Sequence, residues 1–234
     1  MEYQNPFIQV ESQMSESAVS AYMTRVFGWM TLALTITAIT SLLVASSPLL
    51  GIIAGNRILF FGLIIGELLL VGALAGLVNK MSSVLATVVF VGYAILNGLT
   101  LSIIFLMYTG SDIALSFFIT AGTFAFMSAY GYFTQKDLTS MGSFLIMALI
   151  GLVIASVANW FMQSQALYWI ISYAGVFIFI GLTAYDTQKI KNQALMLSGN
   201  SETMQKGAIM GALTLYLDFI NLFIFILRIF GGRK

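Results

Sequence analysis

The chain has 234 residues, of which 59% are apolar and only 8% charged, with a net charge of +1 and neither cysteine nor histidine. Soluble domains carry about 25% charged residues, so a water-exposed globular surface is excluded, and the near-zero charge gives nucleic acid no electrostatic footprint. The missing residue types also exclude disulfides, thiolate or imidazole metal centres, and Ser–His or Cys–His catalytic pairs.

Residues 1–24 are polar and carry Glu2, Glu11 and Glu16. They lack the basic start and short apolar core of a secretory signal, and are expected to form a retained, flexible cytoplasmic tail. Seven apolar segments follow, at 26–46, 58–78, 83–107, 113–133, 142–162, 167–187 and 207–229. Each has the length, about 20 residues, that a helix needs to cross a hydrocarbon core. The fold class expected is all-α: a seven-transmembrane-helix bundle over residues 25–234. The connections are short, and the longest is "QKIKNQALMLSGNSETMQK" at 188–206. None leaves room for a soluble catalytic domain.

With seven crossings, Arg25, Lys80, Lys136, Lys189, Lys191 and Lys206 collect on the N-terminal side. Arg57, Arg228, Arg233 and Lys234 fall on the other. Cytoplasmic loops are enriched in Lys and Arg, so the N-terminus is expected to be cytoplasmic. The segment 207–229 is expected to cross fully. Small residues recur four apart at Gly62 and Gly66, Gly72 and Gly76, and Gly207 and Gly211, a spacing that lets helices approach closely inside the bundle.

The charged residues within the apolar segments carry the functional argument. In the last segment Gly207, Gly211, Thr214, Asp218, Asn221, Phe225 and Arg228 recur at alternating spacings of four and three, so they share one stripe. Tyr216 is the polar residue off it, and the other faces are the Leu, Ile and Phe of a lipid-exposed helix. Intramembrane carboxylates face protein or water, so Asp218 should point inward. Asp186 lies in "GLTAYDTQKIK" at the end of the sixth segment, with Thr183, Phe179 and Ser172 on its side. Measured from residue 207, Asp218 lies roughly 16 Å along its helix, while Asp186 is only a few residues inside the boundary. That leaves a depth gap of several ångströms between the two. Glu67, on an otherwise apolar stripe, needs a partner from another helix. Asn97 with Thr100 and Tyr93, and Asn159 with Ser156, read as interhelical hydrogen bonds. Arg228 reads as a residue snorkelling to the interface.

"GLTAYDTQKIK" and "ALTLYLDFINLFIFILRIF" resemble the two signature stretches of the Bax inhibitor-1 (transmembrane Bax-inhibitor-motif) family, and the seven-segment layout is similar over nearly the whole chain. "GLTAYDTQK" looks closest to the inner-membrane members of Gram-negative bacteria. The resemblance implies a membrane-embedded Asp–Asp pair that senses pH and gates a slow calcium leak. Asp186 and Asp218 match that pair, Arg228 the basic end of the final motif, and Glu67 an acidic position in the second helix. Two departures stand out: a longer stretch between the Asp motifs, and no arginine in the cytoplasmic half of the second helix, where Lys80 is the nearest cation.

Physical chemistry points the same way. Two carboxyls in contact in a low-dielectric site resist ionising together and titrate as a unit. Sharing a proton, they latch two helices; fully ionised, they separate or recruit a cation. Calcium prefers oxygen ligands, and Asn221, Thr214 and backbone carbonyls could add neutral oxygens to Asp186 and Asp218. Such a set is a weak calcium site, suited to permeation.

The expected function is therefore a pH-sensitive calcium-permeable leak channel. Glu67, Asn221, Thr214 and Arg228 are its candidate pathway or gating residues. The alternatives are a proton-coupled small-solute or cation transporter, and a non-transporting modulator of a membrane protease or stress pathway. No enzymatic activity and no cofactor are expected, calcium being the permeant ion. The expected partners are the lipid bilayer, calcium ions, protons and a membrane-protein partner, with the chain a monomer or weak homo-oligomer and no nucleic acid.

Overall fold

The structure, a computed structural model, describes residues 6–196 and 201–232, with side chains from residue 16 onward. The helices are α1 (Pro6–Ala45), α2 (Leu49–Gly55), α3 (Arg57–Leu77), α4 (Ser83–Leu101), α5 (Ile104–Met107), α6 (Gly110–Phe133), α7 (Thr139–Met162), α8 (Gln165–Met196) and α9 (Ser201–Phe230), with a 3₁₀ turn at Val78–Lys80 after α3. Among the described residues, seven spans are long and apolar enough to cross a membrane. The chain is an all-α integral membrane protein. Only helices and closed barrels satisfy every backbone polar group in lipid, which is why composition alone located the spans.

Short polar residues set where the helices begin. The Asn56 Oδ1 accepts from Leu59 N–H at 3.1 Å, and the Ser82 Oγ from Leu85 N–H at 3.2 Å. Thr109 caps α6 by accepting from Asp112 N–H at 3.2 Å, and its hydroxyl donates to the Asp112 carboxylate at 2.6 Å. Asp137 accepts from Thr139 N–H at 2.9 Å ahead of α7. Its hydrogen bonds to Thr139 hold this solvent-exposed carboxyl below the usual carboxylate range.

Three expected boundaries change. The first helix starts at Pro6, and Val19, Tyr22 and Met23 pack in the core at the same three-and-four spacing as Val26 and Met30. Residues 19–24, assigned above to a flexible tail, therefore belong to the bundle; residues 1–5 lie outside the described residues. The segment 83–107 breaks between α4 and α5, where the Ser102 hydroxyl donates to Leu99 O at 2.6 Å. The 188–206 connection is helical through Met196 and again from Ser201.

α9 is the central helix. In its most apolar window 72% of residues are buried, against 6% for α3, which identifies α3 as peripheral. The Leu, Ile and Phe faces of α9 therefore meet protein, correcting the lipid-exposed reading. A helix that is apolar all round suits either place, and only packing chooses. Around α9 stand two groups. α1, α3 and α4 pack together, as do α6, α7 and α8, and each group packs on α9. One seam between the groups runs between α1 and α6, where two cavities of about 740 and 370 Å³ share Leu34, Phe117 and Phe219. On another side a cavity of about 360 Å³ opens near the C-terminal end of α9.

The glycine expectation holds in part. A Cβ at Gly211 would meet Ile190 at 3.1 Å and Val26 at 3.3 Å, whereas at Gly62, Gly72 and Gly76 it would meet nothing within 4 Å. Close approach instead occurs around α8. A Cβ at Gly131 would collide with the Ala184 carbonyl, and one at Gly142 with the Tyr185 ring.

Candidate functional site

α8 and α9 form an antiparallel pair. Gly211 lies against Ile190, the Asp218 carboxyl hydrogen-bonds the Asp186 carboxyl, and Phe225 lies against Gly175 and stacks on Phe179 at 5.9 Å. The depth gap expected from sequence arose from treating 188–206 as an interfacial loop. Because both helices continue beyond the apolar segments, each aspartate lies well inside its helix and the register brings them level. A hydrogen bond between two carboxyls requires one proton between them. Asp218 is 5% exposed, and its Oδ2 has no hydrogen-bond partner among the described residues.

Sequence reasoning missed Lys189 as a neighbour. Three residues along α8, it is the cation whose charge acts on Asp186, and the spacing in "DTQK" could have revealed it. The same end of α8 holds the nearby loop. Leu138 N–H donates to the Gln188 Oε1 at 2.9 Å, the Gln188 amide donates to Lys136 O at 2.8 Å, and Lys191 donates to Tyr132 O at 2.8 Å. Lys206 on α9 similarly donates to Met81 O at 3.1 Å.

The remaining candidates divide between two places. The predicted stripe of α9 splits: Gly211, Asp218 and Phe225 are buried, whereas Thr214, Asn221 and Arg228 are partly accessible, in line with Met210, Leu217 and Ile224. The Thr214 hydroxyl donates to Met210 O at 3.1 Å and the Asn221 amide to Leu217 O at 2.8 Å. Ile224 and Arg228 line the 360 Å³ cavity.

Glu67 belongs to a separate network. It accepts from the Thr100 hydroxyl at 2.6 Å and the Asn97 amide at 3.3 Å. The Asn97 Oδ1 in turn accepts from the Tyr216 hydroxyl at 3.0 Å, which also meets the Thr37 hydroxyl at 2.7 Å. Asn97 and Thr100 thus bond between helices as expected. Asn159 and Ser156 do not. The Asn159 Oδ1 accepts from Ser164 N–H at 3.0 Å beside Gln163, whose φ of 49° ends α7, and the Ser156 hydroxyl bonds back to Leu152 O at 2.7 Å.

Tyr216 was set aside in the sequence as the polar residue off the stripe, and that exception was its signal. Residues two apart on a helix point about 200° apart. Tyr216 therefore ties α9 to α1 and α4, while Asp218 ties it to α8. Tyr216→Phe would leave Asn97 and Thr37 short of a partner. We expect a loss of about 1–2 kcal/mol, read by unfolding in mixed micelles, with Tyr93→Phe much milder if the hydroxyl rather than the ring packing matters.

Comparison with known proteins identifies the family of the chain. Residues 19–234 match the family model described as inhibitor of apoptosis-promoting Bax1. Inner membrane protein YbhL of Escherichia coli is 47% identical over 220 residues, covering 93% of this chain and 94% of its own. An uncharacterized protein of Borreliella burgdorferi is 45% identical over 214 residues, covering 91% and 92% respectively. Protein RP147 of Rickettsia prowazekii, also uncharacterized, is 42% identical over 224 residues, covering 94% and 92%. With its seven spans, its aspartates joined across α8 and α9, and a match from residue 19 to residue 234, the chain belongs to the Bax inhibitor-1 family.

Proposed function

We propose that the protein is a pH-responsive calcium leak pathway whose latch is the Asp186–Asp218 pair. The observation that carries the reading is the carboxyl–carboxyl hydrogen bond between α8 and the central helix. Such a bond lasts while one proton is shared, and its loss leaves two adjacent negative charges in a poorly solvated site. The unpartnered Asp218 Oδ2 is an oxygen that a passing cation can use. Thr214 and Asn221 line the partly accessible side of the same helix and lead toward Ile224 and Arg228. In this reading calcium is substrate, held weakly in passing by the oxygens of a few side chains.

We further place the protein in the bacterial inner membrane with its N-terminus cytoplasmic, acting without cofactor or enzymatic turnover as a monomer or weak oligomer. The basic residues of the connections near Met81, Lys136 and Lys191 share one end of the bundle, in keeping with that orientation.

The test is calcium entry into indicator-loaded proteoliposomes containing the purified protein. Flux should rise as the pH is raised from about 6 to about 8, where a shared-proton pair can lose its proton. Saturable counterflow with substrate-stimulated proton movement would replace this reading with a proton-coupled transporter. Absence of any flux would leave a modulator of other membrane proteins. Deleting residues 1–15, which spares the buried Val19 and Tyr22, should then abolish that modulation.

A further inference from the structure

The cavity of about 360 Å³ at the C-terminal end of α9 is lined by Arg228 together with Asn159, Trp160, Tyr168, Met107 and Ile104. Among the described residues Arg228 forms no ion pair. The one ion pair among the described residues joins Lys206 and Glu202. Asp112 accepts from the Thr109 hydroxyl and Glu67 from Thr100 and Asn97, and neither is within ion-pair distance of Arg228. The Arg228 guanidinium sits over Phe225 at 5.1 Å and Tyr168 at 5.8 Å. Ring faces attract the cation but do not replace an oxygen acceptor for its five N–H donors. Asn159 commits its Oδ1 to Ser164 N–H, leaving its amide nitrogen as a neutral donor at the same cavity.

A fixed guanidinium with a neutral amide donor, beside aromatic rings, is chemistry that recognises a phosphate-type oxyanion. The cavity also opens sideways: Trp160 is 64% exposed and Met107 40% exposed, both on the outer surface of the bundle. We propose that this cavity binds a phosphate-bearing anion through Arg228, with Asn159 as second donor, and that a lipid headgroup entering between α4 and α7 supplies it. The cavity lies at the end of the α9 face that the proposed pathway follows, but its anion site rests on Arg228 and Asn159 and not on the aspartate pair, so it stands whether or not the protein conducts calcium.

Native mass spectrometry of the full-length detergent-solubilised protein, titrated with phosphatidylglycerol, phosphatidylcholine or inorganic phosphate, tests this. Wild type should retain one phosphatidylglycerol at least about fivefold better than Arg228→Gln, with Arg228→Lys in between. Phosphatidylcholine, whose headgroup carries its own cation, should be held less well. Ile104→Trp fills the cavity without touching the charge, and should lose retention equally. It keeps the test decisive if Arg228→Gln folds poorly. Displacement of the lipid by millimolar inorganic phosphate would support the oxyanion site and assign it to a soluble ligand. Equal retention of both lipids by wild type, Arg228→Gln and Ile104→Trp, with no effect of phosphate on any of them, would overturn the proposal.

Discussion

Asp218→Asn should lose the pH response of calcium flux while keeping the fold. Asparagine is nearly the same size as aspartate and can donate to the Asp186 carboxylate at any pH, so the α8–α9 contact survives without a titratable shared proton. In the native pair the proton holds the latch. The contact is intact on the acidic side and is lost as rising pH removes the proton, so opening is favoured toward alkaline pH. The driving force is substantial. Two full charges about 4 Å apart repel by roughly 4 kcal/mol at an effective dielectric of 20, and each 1.4 kcal/mol is a factor of about ten in an equilibrium constant. Allowing for relaxation and water entry, the ratio of flux at about pH 8 to that at about pH 6 should be at least tenfold in wild type and near one in the variant. Asp186→Asn should behave alike, because the proton belongs to the pair. A wild-type pH ratio in either variant would remove the latch from the mechanism, leaving Asp218 a structural acceptor.

Gly131→Val should be the most damaging single substitution in the α6–α8 interface. The atoms that a Cβ would strike are the Ala184 carbonyl and Cα, which cannot swing aside as a side chain would, so the two helices must part. Overpacking of this kind costs about 1–3 kcal/mol or more, equivalent to roughly 2–12 °C in Tm for a chain of this size. Ala184 precedes Asp186 by two residues, so the displacement also pulls one aspartate from the other and blunts the pH response. Gly122→Val on the same helix is the control. A Cβ there meets nothing within 4 Å, and both Tm and pH response should stay close to wild type. A similar loss in both variants would show that valine disturbs α6 locally and that the close approach is not the cause.

How much was legible in advance divides by physical origin. The seven spans and the all-α class followed from local composition, which also singled out Asp186 and Asp218 as carboxylates set within or at the end of apolar segments. The bilayer imposes one requirement on every stretch of chain that enters it, namely a continuous apolar helix with its few charges turned inward. The partner of Glu67 was legible only as a need. Thr100 and Asn97 answer it from α4, and Tyr216 and Thr37 extend the network to α9 and α1. Periodicity on one helix carries no information about which face of another will be opposite.

Tertiary structure alone decided three things. The first is that α9, indistinguishable in composition from a lipid-facing helix, sits at the centre, because apolar side chains satisfy lipid and protein equally and only packing tells them apart. The second is that Asp186 and Asp218 stand level, which depends on α8 continuing to Met196 and α9 beginning by Ser201. Polar helical ends look like a loop when hydropathy is the only guide. The third is that the polar stripe of α9 divides, with Asp218 turned toward α8 and Thr214, Asn221 and Arg228 toward more open space. Sequence determined which residues are costly to place in a membrane; the packing of helices far apart in the chain determined what each of them meets there.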